Sequence, residues 1–342
     1  MFQFRQFLFR LLPVTLLTLA SCAEKELPFE LLVEKFPIEE TLSGERIDLP
    51  LAEHLSNGFY TVGEFYVDQA IRAPFFFITY DREFNLCDTI IRNGQGPDEL
   101  TSASFFGQWS GEPSNPDLLL FDDNSNRIFG AHINPFDHLT PLAALSVSEY
   151  LSPSRLYRLP GDSVFVGINL EMTRASEIIK YNTLTNTLTT YPQPFSFDSK
   201  YAFYTSQCSF GVNGAADRFC SFFLSMPWFV IYDKSFEPIR KVALYDAVNS
   251  ESLTMNSPAK GFISPAFIGD KIVALYKNEA EEGADTQLTV FDSMGNPLAM
   301  YLVGDAIGYT IDIDRRNILT IHYDQEADVI YLMKRPIPDI LK

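Results

Sequence analysis

One element recurs along this 342-residue chain and narrows its fold more than any other feature: a short apolar strand ending in an aromatic residue plus Asp or Asn, then a polar turn, then another strand. It appears at Phe75–Asp81, Leu118–Asp122, Ile178–Asn182, Phe229–Asp233 and Leu288–Asp292. The aromatics are 41, 60, 51 and 59 residues apart, and a degenerate sixth copy follows at Val329–Leu332. Val, Ile, Phe and Tyr suit a pleated, buried surface, and Asp or Asn can bond its own backbone two residues on and start a tight turn. Further apolar runs flank most copies, such as Arg218–Leu224 before and Ile239–Leu244 after. Units of 40 to 60 residues with three or four strands each predict an all-β chain folded as a six-bladed β-propeller. A pair of β-sandwiches gives no reason for six similar units. The last unit runs out of strands near Lys334, before Pro336 and Pro338. Gly44–Pro50 has no early partner and is expected to supply the missing outer strand, closing the last blade and hiding an edge.

The N-terminus carries a different signal. Arg5 and Arg10 precede an apolar run from Leu11 to Leu19 and then Leu19-Ala20-Ser21-Cys22. A basic start, an apolar stretch too short to span a bilayer and small residues before a cysteine are the layout of a bacterial lipoprotein signal. The expected organisation is a signal peptide over 1–21, a tether over 22–43 and a propeller domain over 44–342, with Cys22 as the lipidation site. The acyl chains on Cys22 are then the link to the membrane. Ala23 stands where an aspartate would favour inner-membrane retention, and Glu24 and Glu26 faintly resemble an acidic export signal. The expected location is therefore the cell envelope, as an outer-membrane lipoprotein facing the periplasm or the surface. The net charge is −18, and −20 once residues 1–21 and their two arginines are removed. A surface of that sign repels phosphate backbones and anionic headgroups, so no nucleic-acid partner is expected.

After the first blade comes Arg92-Asn93-Gly94-Gln95-Gly96-Pro97-Asp98-Glu99-Leu100. This stretch resembles the G-x-G-P-x-E-aromatic signature of the six-bladed, TolB-like propeller lipoproteins of the Bacteroides group, with Leu100 in place of the usual aromatic. The lipobox, the number of units and the aromatic-Asp turns agree with that family across nearly the whole mature chain. The resemblance implies fold and compartment rather than an activity.

The remaining motifs favour structure over chemistry. Gly94-x-Gly96-Pro97 lacks the third glycine of a phosphate cradle, and Pro97 removes a donor, so a tight crossover with Glu99 capping backbone amides is expected. Asp122-Asp123-Asn124-Ser125-Asn126 begins like a calcium loop, but Arg127 replaces the glycine and Ile133 the bidentate carboxylate. The acidic run Glu279–Asp285 reads as a solvated hairpin. His54, His132, His138 and His322 show no zinc spacing, although His132 and His138 flank one loop and could meet. No metal or cofactor is expected. Cys208 and Cys220 sit symmetrically about Gly211–Gly214 and could pair across a hairpin, or lie apart as two buried small hydrophobes.

In a propeller, interblade crossovers open on the same face as the hairpins between each blade's second and third strands. That face would gather Phe195, Phe197 and Tyr201 beside Arg92, Glu99, Glu171 and Arg174, a candidate surface for a protein, peptide or glycan partner. Inner-strand residues such as Ser154-Arg155 and Ser264-Pro265 offer little acid-base chemistry. Two functions follow: a non-enzymatic binding or scaffold module, which the sequence favours, or a hydrolase or lyase of envelope polysaccharide or peptide. The second requires carboxylates, histidines or arginines from several inner strands to converge at the channel.

Overall fold

The computed structural model describes residues 29–51, 55–71, 74–145, 153–161, 163–170, 175–197, 200–245, 260–279 and 283–342. The signal region and Cys22 lie outside them. The described residues form six separate sheets, each a twisted meander, arranged as the blades of a propeller. The inner strands are Leu55–Val62, Ser104–Glu112, Pro153–Arg158, Cys208–Val212, Lys260–Ile268 and Gly308–Asp312, in blades one to six. Each hydrophobic cluster lies between neighbouring blades. Val67, Phe77, Phe105 and Leu118 pack blade one on blade two, and Phe222, Phe229, Phe262 and Phe291 pack four on five. Ile78, Tyr80, Leu319 and Leu332 pack blade one on blade six and close the ring.

This sandwiching explains why the strands read as unbroken apolar runs. A middle strand of a blade has a neighbouring blade against both faces, so Phe219–Phe223 and Trp228–Tyr232 are buried at every position. Outer strands alternate or lie open, as at Leu86–Asn93 and Thr187–Pro192.

The turn chemistry is as expected. Asp81 Oδ1 accepts from the backbone amides of Glu83 and Asn85, Asp233 Oδ1 from Ser235 and Glu237, and Asp292 Oδ1 from Met294 and Asn296. Asn182 does the same for Leu184 and Thr185. The copy at Asp122 is different: it ends the second strand of blade two, Asn115–Asp122, rather than the third. The uneven spacings of 41 and 60 arise from this slip by one hairpin. The third strands of blades one to five end at Tyr80, His132, Asn182, Asp233 and Asp292, which are 52, 50, 51 and 59 residues apart.

The N-terminal segment makes three strands: β1 (Leu31–Val33), β2 (Glu39–Thr41) and β3 (Glu45–Asp48). β3 pairs antiparallel with Val329–Pro336, Ile47 opposite Leu332, and supplies the outer strand of blade six. Residues 31–41, expected to lie within a tether over 22–43, instead join the propeller's sheets. β1 runs parallel to the outer strand of blade four, and β2 parallel to that of blade five. Val33 and Phe36 enter the cluster between those blades, and Ile38 and Leu42 pack on the next. Apolar residues spaced between charges let this segment cover two exposed sheet edges while its Glu and Lys side chains stay in water. Arg335 locks the seam, donating to the carbonyls of Leu42 at 2.9 Å and Val303 at 2.8 Å.

Cys208 and Cys220 do not form a disulfide. Cys208 stands opposite Phe223 and Cys220 opposite Gly211, so the two thiols project from opposite faces of the blade-four sheet into different clusters. Burial pushes the Cys208 thiol up to about 12 and the Cys220 thiol higher still. The expected outcome of alkylation at pH 8 is labelling of exposed Cys87 in the folded chain, with Cys208 and Cys220 reacting only after denaturation, as read by peptide mass spectrometry.

Candidate functional site

The loop-face residues divide once placed. Glu171 and Arg174 lie outside the described residues. Glu99 is structural: its Oε2 accepts from the Gly96 amide at 2.8 Å, and a Cβ on Gly94 would meet that oxygen at 2.0 Å. Arg92, the cross-strand neighbour of Glu99, is exposed. Phe195 and Phe197 are not open rings at a channel mouth. Phe195 packs on Phe29, Phe223 and Trp228, with centroids 5.5, 5.5 and 5.0 Å away, and Phe197 packs on Phe223. They wedge the crossover onto blade four, because two Phe rings so close to an apolar blade face lose water by lying on it. Tyr201 is half-buried, with the Lys200 ammonium 4.9 Å from its ring.

His132 and His138 line one cavity, but each is held by its own carboxylate: His132 Nδ1 by Asp117 and His138 Nδ1 by Asp137, both at 2.8 Å. Ser110, Asp117 and His132 are direct cross-strand neighbours in that order. The aspartate therefore separates serine from histidine, where a nucleophilic triad needs the histidine between them.

The strongest convergence is at the propeller axis. A cavity of about 330 Å³ is lined from all six inner strands, among them Tyr60, Gly107, Arg155, Gly211, Ser264 and Tyr309. Four of those strands leave regular pairing here: at Ser56/Gly58, around Gly107, at Pro153/Arg155 and at Ile263/Ala266. An extra residue in a strand bends it and re-aims a side chain, and such bulges gather beside functional sites. Gly107 has φ +81°, and a Cβ there would press on the Tyr60 ring at 3.2 Å. Ser264 is held at φ 52°, a left-handed conformation unfavourable for serine, and its hydroxyl lies 3.4 Å from Arg155 Nη2 across the channel.

Arg155 is the cation of this cavity. Burial works against its charge, but the hydroxyls of Tyr157, Tyr60 and Tyr309 around it hold it above its ordinary value. Burial in turn raises Tyr60, Tyr157 and Tyr309, so all three stay protonated. Tyr157 donates to the Phe210 carbonyl at 3.1 Å and Tyr309 to that of Val273 at 2.9 Å. Among the described residues no carboxylate lines the cavity, and none lies within ion-pair distance of Arg155. Arg155 and Ser264 are expected from the sequence on inner strands and set aside there for want of acid-base chemistry, since residues 109 apart give no local sign that they meet.

No protein-family profile and no curated protein matches the chain. Among solved structures, the calcium-binding protein regucalcin from Agrobacterium tumefaciens is 12% identical, covering 88% of this chain and 97% of its own at a TM-score of 0.48. TolB from Acinetobacter baumannii is 10% identical, covering 81% and 62% at 0.45. The WD40 domain of Toxoplasma gondii coronin is 8% identical, covering 90% and 78% at 0.47. Likenesses of that order carry no functional argument. The strand order itself establishes the six-bladed β-propeller, closed by its own N-terminal strand.

Proposed function

We propose that this chain is a lipid-anchored envelope β-propeller that works as a non-enzymatic binding module for a peptide, glycan or protein partner. The observation that carries the reading is the axial cavity, where one arginine and three tyrosines converge with no carboxylate or histidine among the described lining residues. That is a set for holding a ligand, since protonated tyrosines and a guanidinium donate but do not accept a proton at neutral pH. Turnover of a polysaccharide or peptide would need a base open to the cavity, and Asp68, whose carboxyl is raised to about 7 beside Ser56, is 1% exposed and does not line it. The lipobox at Leu19–Cys22 and the Gly94–Leu100 crossover support placement beside the TolB-like propeller lipoproteins of the Bacteroides group, in the outer membrane. From Cys22 to Phe29, where the described chain begins, are seven residues, a leash of at most about 25 Å. The propeller would thus ride close to the bilayer.

Two measurements test this. Palmitate labelling in a bacterial host is expected to mark the intact chain and not Cys22→Ser, which leaves the membrane fraction. Envelope oligosaccharides and peptides incubated with the protein are expected to return unchanged by mass spectrometry while some raise its melting temperature. Cleavage of any of them would put the hydrolase or lyase reading in place of this one.

A further inference from the structure

We propose that the axial cavity recognises the carboxylate of a small organic ligand, with Arg155 as its cation and the hydroxyls of Tyr60 and Ser264 as its donors. This rests on the binding-module reading and adds the ligand's chemical class. Three independent features lead to it. First, Arg155 is half-buried in the cavity wall, where a guanidinium with reduced access to water is ordinarily paired with an anion, and its described partners are hydroxyls. In a chain of net charge −18 with 44 acidic residues, leaving this one cavity without a described carboxylate keeps the arginine free for an outside partner.

Second, the geometry is held against local cost. Ser264 sits at φ 52° inside a bulge and turns its hydroxyl toward Arg155, and Arg155 itself follows a bulge in the inner strand of blade three. A strand that only had to pack would keep regular pairing. Third, the donors remain available. Tyr157 and Tyr309 give their protons to strand carbonyls, whereas the Tyr60 hydroxyl faces the guanidinium and has no acceptor for its proton among the described residues. Phe106, Phe267 and Ile307 supply apolar wall, which favours an organic body behind the charged group. A single cation matches a monoanionic carboxylate better than a phosphate dianion, which calls for several.

The test is isothermal titration of the full chain in detergent with benzoate and glucuronate, each against its neutral counterpart, benzamide and glucose, and with inorganic phosphate. Benzoate or glucuronate is expected to bind roughly tenfold or more tighter than its neutral partner and than phosphate. Arg155→Gln should erase that preference, and Tyr60→Phe and Ser264→Ala should each weaken carboxylate binding severalfold. The last two remove one oxygen each and keep the test alive if Arg155→Gln fails to fold, as judged by circular dichroism. Equal binding of a carboxylate and its neutral partner overturns carboxylate recognition while leaving a binding cavity. Tightest binding of phosphate, or an unchanged preference in the variants, overturns it as well. Binding of none of the probes defeats the assignment of this cavity, and chemical alteration of a probe defeats the binding-module reading instead.

Discussion

Replacing Arg82 with methionine is expected to destabilise the fold by roughly 3–5 kcal/mol, because it strands a buried carboxylate at the seam of the ring. Asp312 ends the inner strand of blade six and is fully buried. Its Oδ2 accepts from the Tyr66 hydroxyl of blade one at 2.5 Å and from the Arg82 guanidinium, which also donates to the Gly63 carbonyl. Arg82 lies 5.0 Å over the Tyr66 ring, which stacks on Phe84. Burial, then the bond to Asp312, pushes the Tyr66 hydroxyl up to about 12. The cluster thus joins the first blade to the last through charges that water does not screen. Urea denaturation should show the loss, and Arg82→Met/Asp312→Leu should recover part of it, since an apolar pair of similar volume leaves no orphan charge. Arg315→Ala removes a guanidinium from the exposed Glu83 nearby and should cost under about 1 kcal/mol. A single Arg82→Met effect as small as that would refute the account.

The second large effect is a pair of opposed pH dependences. Asp68, on the second strand of blade one, is 1% exposed, and burial raises its carboxyl to about 7 against a partial offset from Ser56. Its Oδ1 has no hydrogen-bond partner. Between its ordinary value near 4 and about 7 the native chain keeps this proton while the unfolded chain has lost it. Stability contributed by Asp68 therefore falls as pH rises through that window, by on the order of 4 kcal/mol. His322, 4% exposed in blade six, is lowered to about 4 by burial and then by Arg335, with Asp305 opposing. Its imidazole accepts or donates at Thr320 Oγ1, 2.8 Å away. Here the unfolded chain binds the extra proton, so stability is lost as pH falls from about 6.5 to about 4, by on the order of 3 kcal/mol.

The two windows overlap with opposite slopes, so each hides the other in the intact chain. Asp68→Asn should lose stability steeply from pH 6.5 to 4 and exceed the parent at pH 8. His322→Gln should instead lose stability from pH 4 to 7. Melting temperatures across that range check both, and curves parallel to the parent's would refute the burial argument.

How far the residues alone reach is clearest at particular places. Phe229–Asp233 states its own strand and turn, because the aromatic run needs two buried faces and the aspartate needs two backbone amides just beyond it. Asp122 carries the same local chemistry yet belongs to a different hairpin, since a turn motif does not say which strand of the blade it ends. Glu99 is read correctly as a cap because its partner is three residues away. Phe195 and Phe197 are misplaced as open binding rings because nothing local tells an exposed aromatic from one folded back on blade four.

The sequence by itself determined what depends on neighbours along the chain: strand composition, Asx turns, six repeating units and the want of an outer strand in the last unit. Only the tertiary structure decided what depends on partners distant along the chain. It laid residues 31–41 along two blade edges, turned Cys208 and Cys220 to opposite faces, buried Asp312 between first and last blades and brought Arg155 to Ser264. The reason is physical: a closed ring brings all six inner strands to one axis, so the groups that meet there are set by closure and bulges rather than by spacing in the chain.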